Sequence, residues 1–290
     1  MSASPRAGLL LLGFGLLALA CFYLYRAEAT ATLTHSAAGI NSLNFSSANG
    51  AMTVTATADT LITVQVRRYC YGRDSADAAR ALENVRIEDT AIADQWWIAA
   101  RIPAGRRAAG AEFTAACRAK TSLDISTSNG KVTVSGITAP INVATSNGAV
   151  VLTGCEGDAD LSTSNGPITL TGTIGSARLK TSNGKVVVQV HRGPVSVNSS
   201  NGDIDCDLSE LGPTGTALLK TSNGKVTLHL PADVSALIDA STSNASITIS
   251  GFPQVTYELQ ERTHQKARIG SGAASVTITT SNGDIAIRAR

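Results

Sequence analysis

The sequence predicts an all-β protein: a single-stranded parallel β-solenoid (β-helix-like) with an N-terminal capping subdomain and an N-terminal membrane or signal helix. Three observations carry that expectation. The tetrapeptide Thr/Ser-Ser-Asn-Gly recurs at nearly constant intervals, each copy is flanked by period-2 apolar patterns, and one uncharged apolar run stands near the amino terminus. Composition agrees, because only 4% of the 290 residues are aromatic. A core without large rings has to be built from thin aliphatic layers, as in stacked strands.

Residues 1–29 read as a signal anchor or signal peptide. Residues 8–25, GLLLLGFGLLALACFYLY, carry no charge and sit at the short end of what a membrane-spanning helix needs. Arg6 and the amino terminus lie on one side, and a cancelling Arg26 and Glu28 on the other, which predicts the amino end inside and the remainder exported. Phe22, Tyr23 and Tyr25 would then lie at the outer interface. Two other readings stay open behind a retained anchor: signal cleavage at Ala27-Glu28-Ala29, and lipid modification of Cys21 in a displaced Ala18-Leu19-Ala20-Cys21 box. All three place the rest of the chain in the cell envelope or beyond it, periplasmic or extracellular.

Residues 30–112 lack the repeat and read as an irregular β-rich cap. Strand-like runs at 51–56, 61–68 and 96–102 surround a helical stretch from Ser75 to Leu82. Solenoids need such caps, since an uncovered terminal coil is an open strand edge.

Residues 113–290 carry the solenoid of roughly 18-residue repeats. The repeated asparagines are Asn129, Asn147, Asn165, Asn183, Asn201, Asn223, Asn244 (followed by Ala) and Asn282, with a degenerate Ser-Ala-Asn-Gly ending at Gly50. The first four intervals are 18 residues, the next two 22 and 21, and the last is 38, which reads as two units with one signature lost. Three and five residues after each Asn stand apolar side chains such as Val132 and Val134 or Ile168 and Leu170, and four and six before it stand others such as Leu161 and Ala159. Each unit thus holds two short strands with one buried face.

Asn-Gly is also a strong hairpin signal, so an antiparallel meander competes. In a meander successive turns lie about 9.5 Å apart and need not be alike, whereas in a solenoid they stack at about 4.8 Å and identical side chains can hydrogen-bond as ladders. The sameness of the tetrapeptide favours the solenoid, with an Asn ladder at one corner. Gly after each Asn is expected to supply a left-handed corner.

An amino-terminal apolar segment, an irregular first part and reiterated T-S-N-G-x-V-x-V units together resemble the bacterial adhesin-like family of β-strand repeats, a domain family of unknown function. The resemblance covers roughly residues 40–290. It implies a surface or periplasmic β-solenoid and brings no catalytic residues with it. Cys117-Arg118-Ala119-Lys120 departs from the Val-Pro-type lead into the first coil.

Little else points to chemistry. Of 24 Lys plus Arg, Arg6 and Arg26 precede residue 27, leaving 22 against 22 acids; this near-neutral balance argues against a nucleic-acid partner. His35, His191, His229 and His264 show no metal-ligand spacing and read as isolated surface residues, so neither metal nor cofactor is expected. Asp203, Asp205 and Asp207 project from one face of one strand, a possible acid/base group in a carbohydrate-active β-helix enzyme. Lys185 and Lys225 at the matching position on the flanking coils favour a charge ladder instead. Trp96 and Trp97 should point to opposite faces, one into the core and the other covering the solenoid end or exposed for stacking. Arg101, Arg106 and Arg107 flank a turn and read as a solvated loop. An outward Thr array is broken by Val151, Val187 and Asp205, which argues against a crystalline-surface binder.

The cysteines divide by location. Cys155 and Cys206 fall three coils apart, about 14 Å, too far for a disulfide. Cys70 and Cys117 both belong to the irregular part and its junction, so a bridge between them would staple cap to solenoid. The reading that follows is a non-enzymatic envelope module with an envelope protein or a glycan as partner.

Overall fold

The computed structural model describes residues 25–102 and 108–290. The expected membrane segment at residues 8–25 therefore lies outside the described residues, apart from Tyr25, which opens the first strand; Cys21, Arg106 and Arg107 lie outside them too. Among the described residues no helix is long and apolar enough to cross a membrane.

The first part contains β1 (Tyr25–Ser36), β2 (Ser42–Ser47), β3 (Met52–Thr57), β4 (Leu61–Gly72), α1 (Ser75–Glu83), β5 (Arg86–Ile92), β6 (Gln95–Arg101) and β7 (Ala109–Arg118). Asp74 caps α1 by accepting from the Asp77 N–H at 2.7 Å, and Ala78 and Ala81 bury its inner face. The regular stack follows as β8 (Ser122–Thr127), β9 (Val132–Ser135), β10 (Ile141–Ala144), β11 (Val150–Thr153), β12 (Ala159–Ser162), β13 (Ile168–Thr171), β14 (Ala177–Lys180) and β15 (Val186–Arg192). It continues with β16 (Val195–Asn198), β17 (Ile204–Glu210), β18 (Thr216–Lys220) and β19 (Val226–Leu230). The last elements are β20 (Ala236–Ser241), β21 (Ile247–Ser250), β22 (Val255–Gln260), β23 (His264–Ile269), β24 (Ala274–Thr279) and β25 (Ile285–Ala289).

These strands form two mostly parallel sheets, one of 12 strands and one of 13. In the repeat, the strand before each Asn-Gly joins the larger sheet and the strand after it joins the smaller, so each coil crosses between them at the Asn corner. Val150 faces Val132 on one side and Ile168 on the other, both in parallel, so the chain does not fold into hairpins at Asn147-Gly148. The constant 18-residue interval keeps like residues in register. Val132, Val150, Ile168, Val186, Ile204 and Val226 make one buried column, and Val134, Leu152, Leu170, Val188, Cys206 and Leu228 make the next. The whole stack shares one core.

Both ends break chain order in the same way. β2 and β3 pair in parallel with β8 and β9, so residues 42–57 already form a coil of the stack, although the sequence there reads as irregular. β6 and β7 then pair on the far side of β2 and β3, while β4 and β1 extend one sheet antiparallel and β5 extends the other. At the other end, β24 and β25 insert between β18/β19 and β20/β21. The 38-residue interval before Asn282 therefore hides no degenerate coil. It holds β22 and β23, an antiparallel pair laid on the outer edge of β20, which covers an edge that would otherwise stand open.

The corner glycines need their identity for a reason other than handedness. Gly50 has φ +123°, but Gly130, Gly148, Gly166, Gly184, Gly202, Gly224 and Gly283 are not left-handed. A Cβ at Gly148, Gly184 or Gly202 would lie 1.8 Å from the carbonyl oxygen of the corner glycine one coil back. Close approach between coils excludes any side chain there. Left-handed glycines sit instead in the opposite bend, at Gly136, Gly154 and Gly172.

Candidate functional site

The most regular feature of the molecule is the Asn corner. Each Asn Nδ2 donates to the Oδ1 of the Asn one coil back, at 2.6–2.7 Å, from Asn244 through Asn282, Asn223, Asn201, Asn183, Asn165, Asn147 and Asn129 to Asn49. Asn49 ends the chain of bonds by donating to the Ala109 carbonyl at 2.8 Å. All the amide dipoles point the same way, so each bond polarises the next.

The preceding Thr is buried and binds twice. Thr163 Oγ1 accepts from the Gly166 N–H at 3.1 Å and donates to the Gly148 carbonyl at 3.1 Å. The Ser supplies its carbonyl, which receives the Asn N–H of the next coil, as from Asn165 to Ser146 at 2.9 Å. The tetrapeptide is thus a complete hydrogen-bonding unit that repeats by translation. At the outermost corner no later coil supplies donors, and Arg262 takes their place, donating to the Ala245 carbonyl at 2.7 Å and to that of Asn244 at 3.4 Å.

The acidic strand is spent on its neighbours. Asp203 accepts from the Lys225 N–H at 2.8 Å, Lys185 pairs with Asp205 at 3.8 Å, and Arg290 pairs with Asp207 at 3.1 Å. On the other sheet Arg178 reaches Asp160, one coil back, at 3.3 Å. Trp96 is 1% exposed within the core and Trp97 is 49% exposed on the outer face. Arg101 pairs with Glu88 across β5 and β6 at 2.8 Å.

Two expectations need correction. His191 is not a surface residue: it is 1% exposed, with Nδ1 2.8 Å from Thr173 Oγ1, and burial pushes its pKa down. The signal was present in the repeat, because His191, Thr173, Cys155 and Ile137 each fall eight residues after an Asn, and that column lines the buried bend. Second, Cys70 and Cys117 are not bridged to each other. Cys70 stands opposite Ala109 and Cys117 at the other end of β7, about 26 Å further along the strand, against the ~7 Å that a disulfide spans. The two sit on separate antiparallel strands, β4 and β7, and fall toward opposite ends of that pairing. Cys117, Cys155 and Cys206 are buried free thiols. Burial raises all three pKa values, that of Cys117 to about 11. Among the described residues no group of His, Cys, Asp and Glu is arranged to hold a metal.

Several solved structures share likeness with the chain. An adhesin-like protein of Parabacteroides distasonis ATCC 8503 has TM-score 0.42 at 11% identity, over 89% of this chain and 97% of that one. One from Bacteroides fragilis NCTC 9343 has TM-score 0.41 at 12% identity, over 89% and 97%. A Clostridium sporogenes ATCC 15579 protein named for cell adhesion has TM-score 0.32 at 11% identity, over 91% and 100%. No curated protein matches the chain. The Toastrack DUF4097 pattern, by contrast, matches residues 26–288, almost the whole sequence, and the chain belongs to that family.

Proposed function

We propose that this protein is a non-enzymatic, adhesin-like module of the cell envelope, tethered through residues 8–25, whose β-solenoid engages an envelope protein or glycan. The observation that carries this reading is the unbroken Asn ladder, with every coil in register beside it. Such a stack is stiff along its axis and presents outward positions at the coil spacing, which suits a binding rod. A carbohydrate-active β-helix enzyme is the competing reading. It is disfavoured because Asp205 and Asp207 each face a cation and Asp203 holds a backbone N–H, so the acidic strand is engaged in neighbouring-coil contacts.

The test uses the full chain, affinity-tagged and recovered from native envelopes by cross-linking. A specific envelope component should be captured equally by the parent and by Asp205→Asn, and neither should depolymerise envelope polysaccharide. Depolymerisation that Asp205→Asn abolishes at unchanged folding would establish the enzyme reading instead.

A further inference from the structure

The outer face of the larger sheet carries a groove of about 580 Å³ that begins at Trp97 and climbs the stack. Its floor is one in-register row, Trp97, Asn44, Asp124, Asn142, Asp160 and Arg178, contributed by six successive strands. At the strand spacing that row is about 24 Å long. Trp97 is half exposed at one end of this row, whose other members are amides, carboxylates and a guanidinium, with Asn142 Nδ2 3.5 Å from Asp124 Oδ1.

We infer that this groove binds a neutral oligosaccharide laid along the stack axis, with one sugar ring on Trp97 and the following rings hydrogen-bonded by Asp124 and Asn142. The inference rests on the binding-module reading above and names its ligand class and site. A pyranose offers an apolar C–H face to an aromatic ring, and hydroxyls around its rim that donate and accept. Trp97 supplies the first complement, and the carboxylate and amide rungs supply the second. A protein partner would want several aromatic or apolar anchors gathered at the centre of the patch, and here a single ring sits at one end. An anionic polymer is opposed by charge. Asp124 and Asp158 line the groove, and its one cation, Arg178, is already engaged by Asp160 at 3.3 Å.

The full-length chain in detergent is titrated with cellohexaose, chitohexaose and mannohexaose, and with hexagalacturonate as the anionic counterpart. Binding is read by calorimetry and by protection of tryptophan fluorescence from acrylamide. Trp96 is buried, so quenching reports Trp97. At least one neutral hexasaccharide should bind and protect, Trp97→Ala should weaken it at least tenfold, and Asn142→Ala several-fold, all with unchanged melting. The exposed Asn142 variant keeps the test decisive should Trp97→Ala misfold. Equal affinity in both variants, or tighter binding of hexagalacturonate, overturns the proposal. If no hexasaccharide binds while the full chain still co-sediments with envelopes of the expressing cells, the glycan groove falls and the envelope module stands. Loss of both removes both readings.

Discussion

A Cβ placed on Gly148 would lie 1.8 Å from the carbonyl oxygen of Gly130 on the neighbouring coil. No rotamer relieves such a contact, since the Cβ position is fixed by its own backbone and the oxygen belongs to the main chain of the next coil. Gly148→Ala should therefore force the coils apart and cost about 1–3 kcal/mol, the range for overpacking a close-packed site. Ala245 at the outermost corner already carries a Cβ, so Ala245→Gly relieves no clash and should cost no more than about 1 kcal/mol of backbone entropy. Urea unfolding of the two variants checks the contrast, and equal effects would contradict the close-approach argument.

Asn165 gives one ladder bond and receives another, whereas Asn244 only gives one. At about 1 kcal/mol net per bond, Asn165→Ala should cost roughly twice as much as Asn244→Ala. Amide exchange measured on both variants should also show faster opening of the coils beside residue 165. An Asn244 variant as costly as the central one would mean that the ladder bonds contribute little individually.

Burial lowers the pKa of His191 below its ordinary value of 6.5. Above that value the ring is neutral in folded and unfolded chains alike, and stability is fully present. As pH falls through 6.5 the unfolded chain takes up a proton that the folded chain refuses, so stability drops with acidity until the lower folded pKa is reached. Denaturant midpoints compared between about pH 7 and about pH 5 should fall further for the parent than for His191→Gln, which keeps a partner for Thr173. Parallel decline in both proteins would place the acid sensitivity elsewhere.

The β24–β25 coil buries Val276, Ile278, Ile285 and Ile287 between coils laid down earlier in the chain. Each such side chain contributes about 1.5–3 kcal/mol, together comparable with a whole domain's net stability of about 5–15 kcal/mol. A chain ending at Ala273 should therefore fail to fold and should aggregate through the exposed edges of β19 and β21. Size-exclusion chromatography and circular dichroism test this; a monomer melting within a few degrees of the parent would show that the outer coils can close the gap.

Native alkylation should leave Cys117, Cys155 and Cys206 unmodified, because burial both shields them and raises their pKa values. Peptide mapping without reductant should yield no link between Cys70 and Cys117. Finding that link would require β7 to be bent back on itself.

The repeat was readable because translation makes it so. Residues 18 apart fall on neighbouring strands, hence Val150, Ile168 and Val186 declare a buried column, and Asn147, Asn165 and Asn183 a corner, before any coordinates are known. The same alignment places His191 in the bend column, although a single histidine taken without its register reads as an exposed residue.

Sequence alone determined the period, the buried faces and the parallel stack, since these follow from local alternation and from identical Asn side chains that bond one another when they recur one coil apart. Tertiary structure alone decided the order of coils at the two ends. The slot that β24 and β25 fill between β19 and β21, and the place of β2 and β3 inside the stack, are choices among nearly equivalent strand edges. Every edge of a parallel stack offers the same hydrogen bonds, and what selects one is the burial of the whole chain's open edges, a quantity that no local stretch of sequence contains.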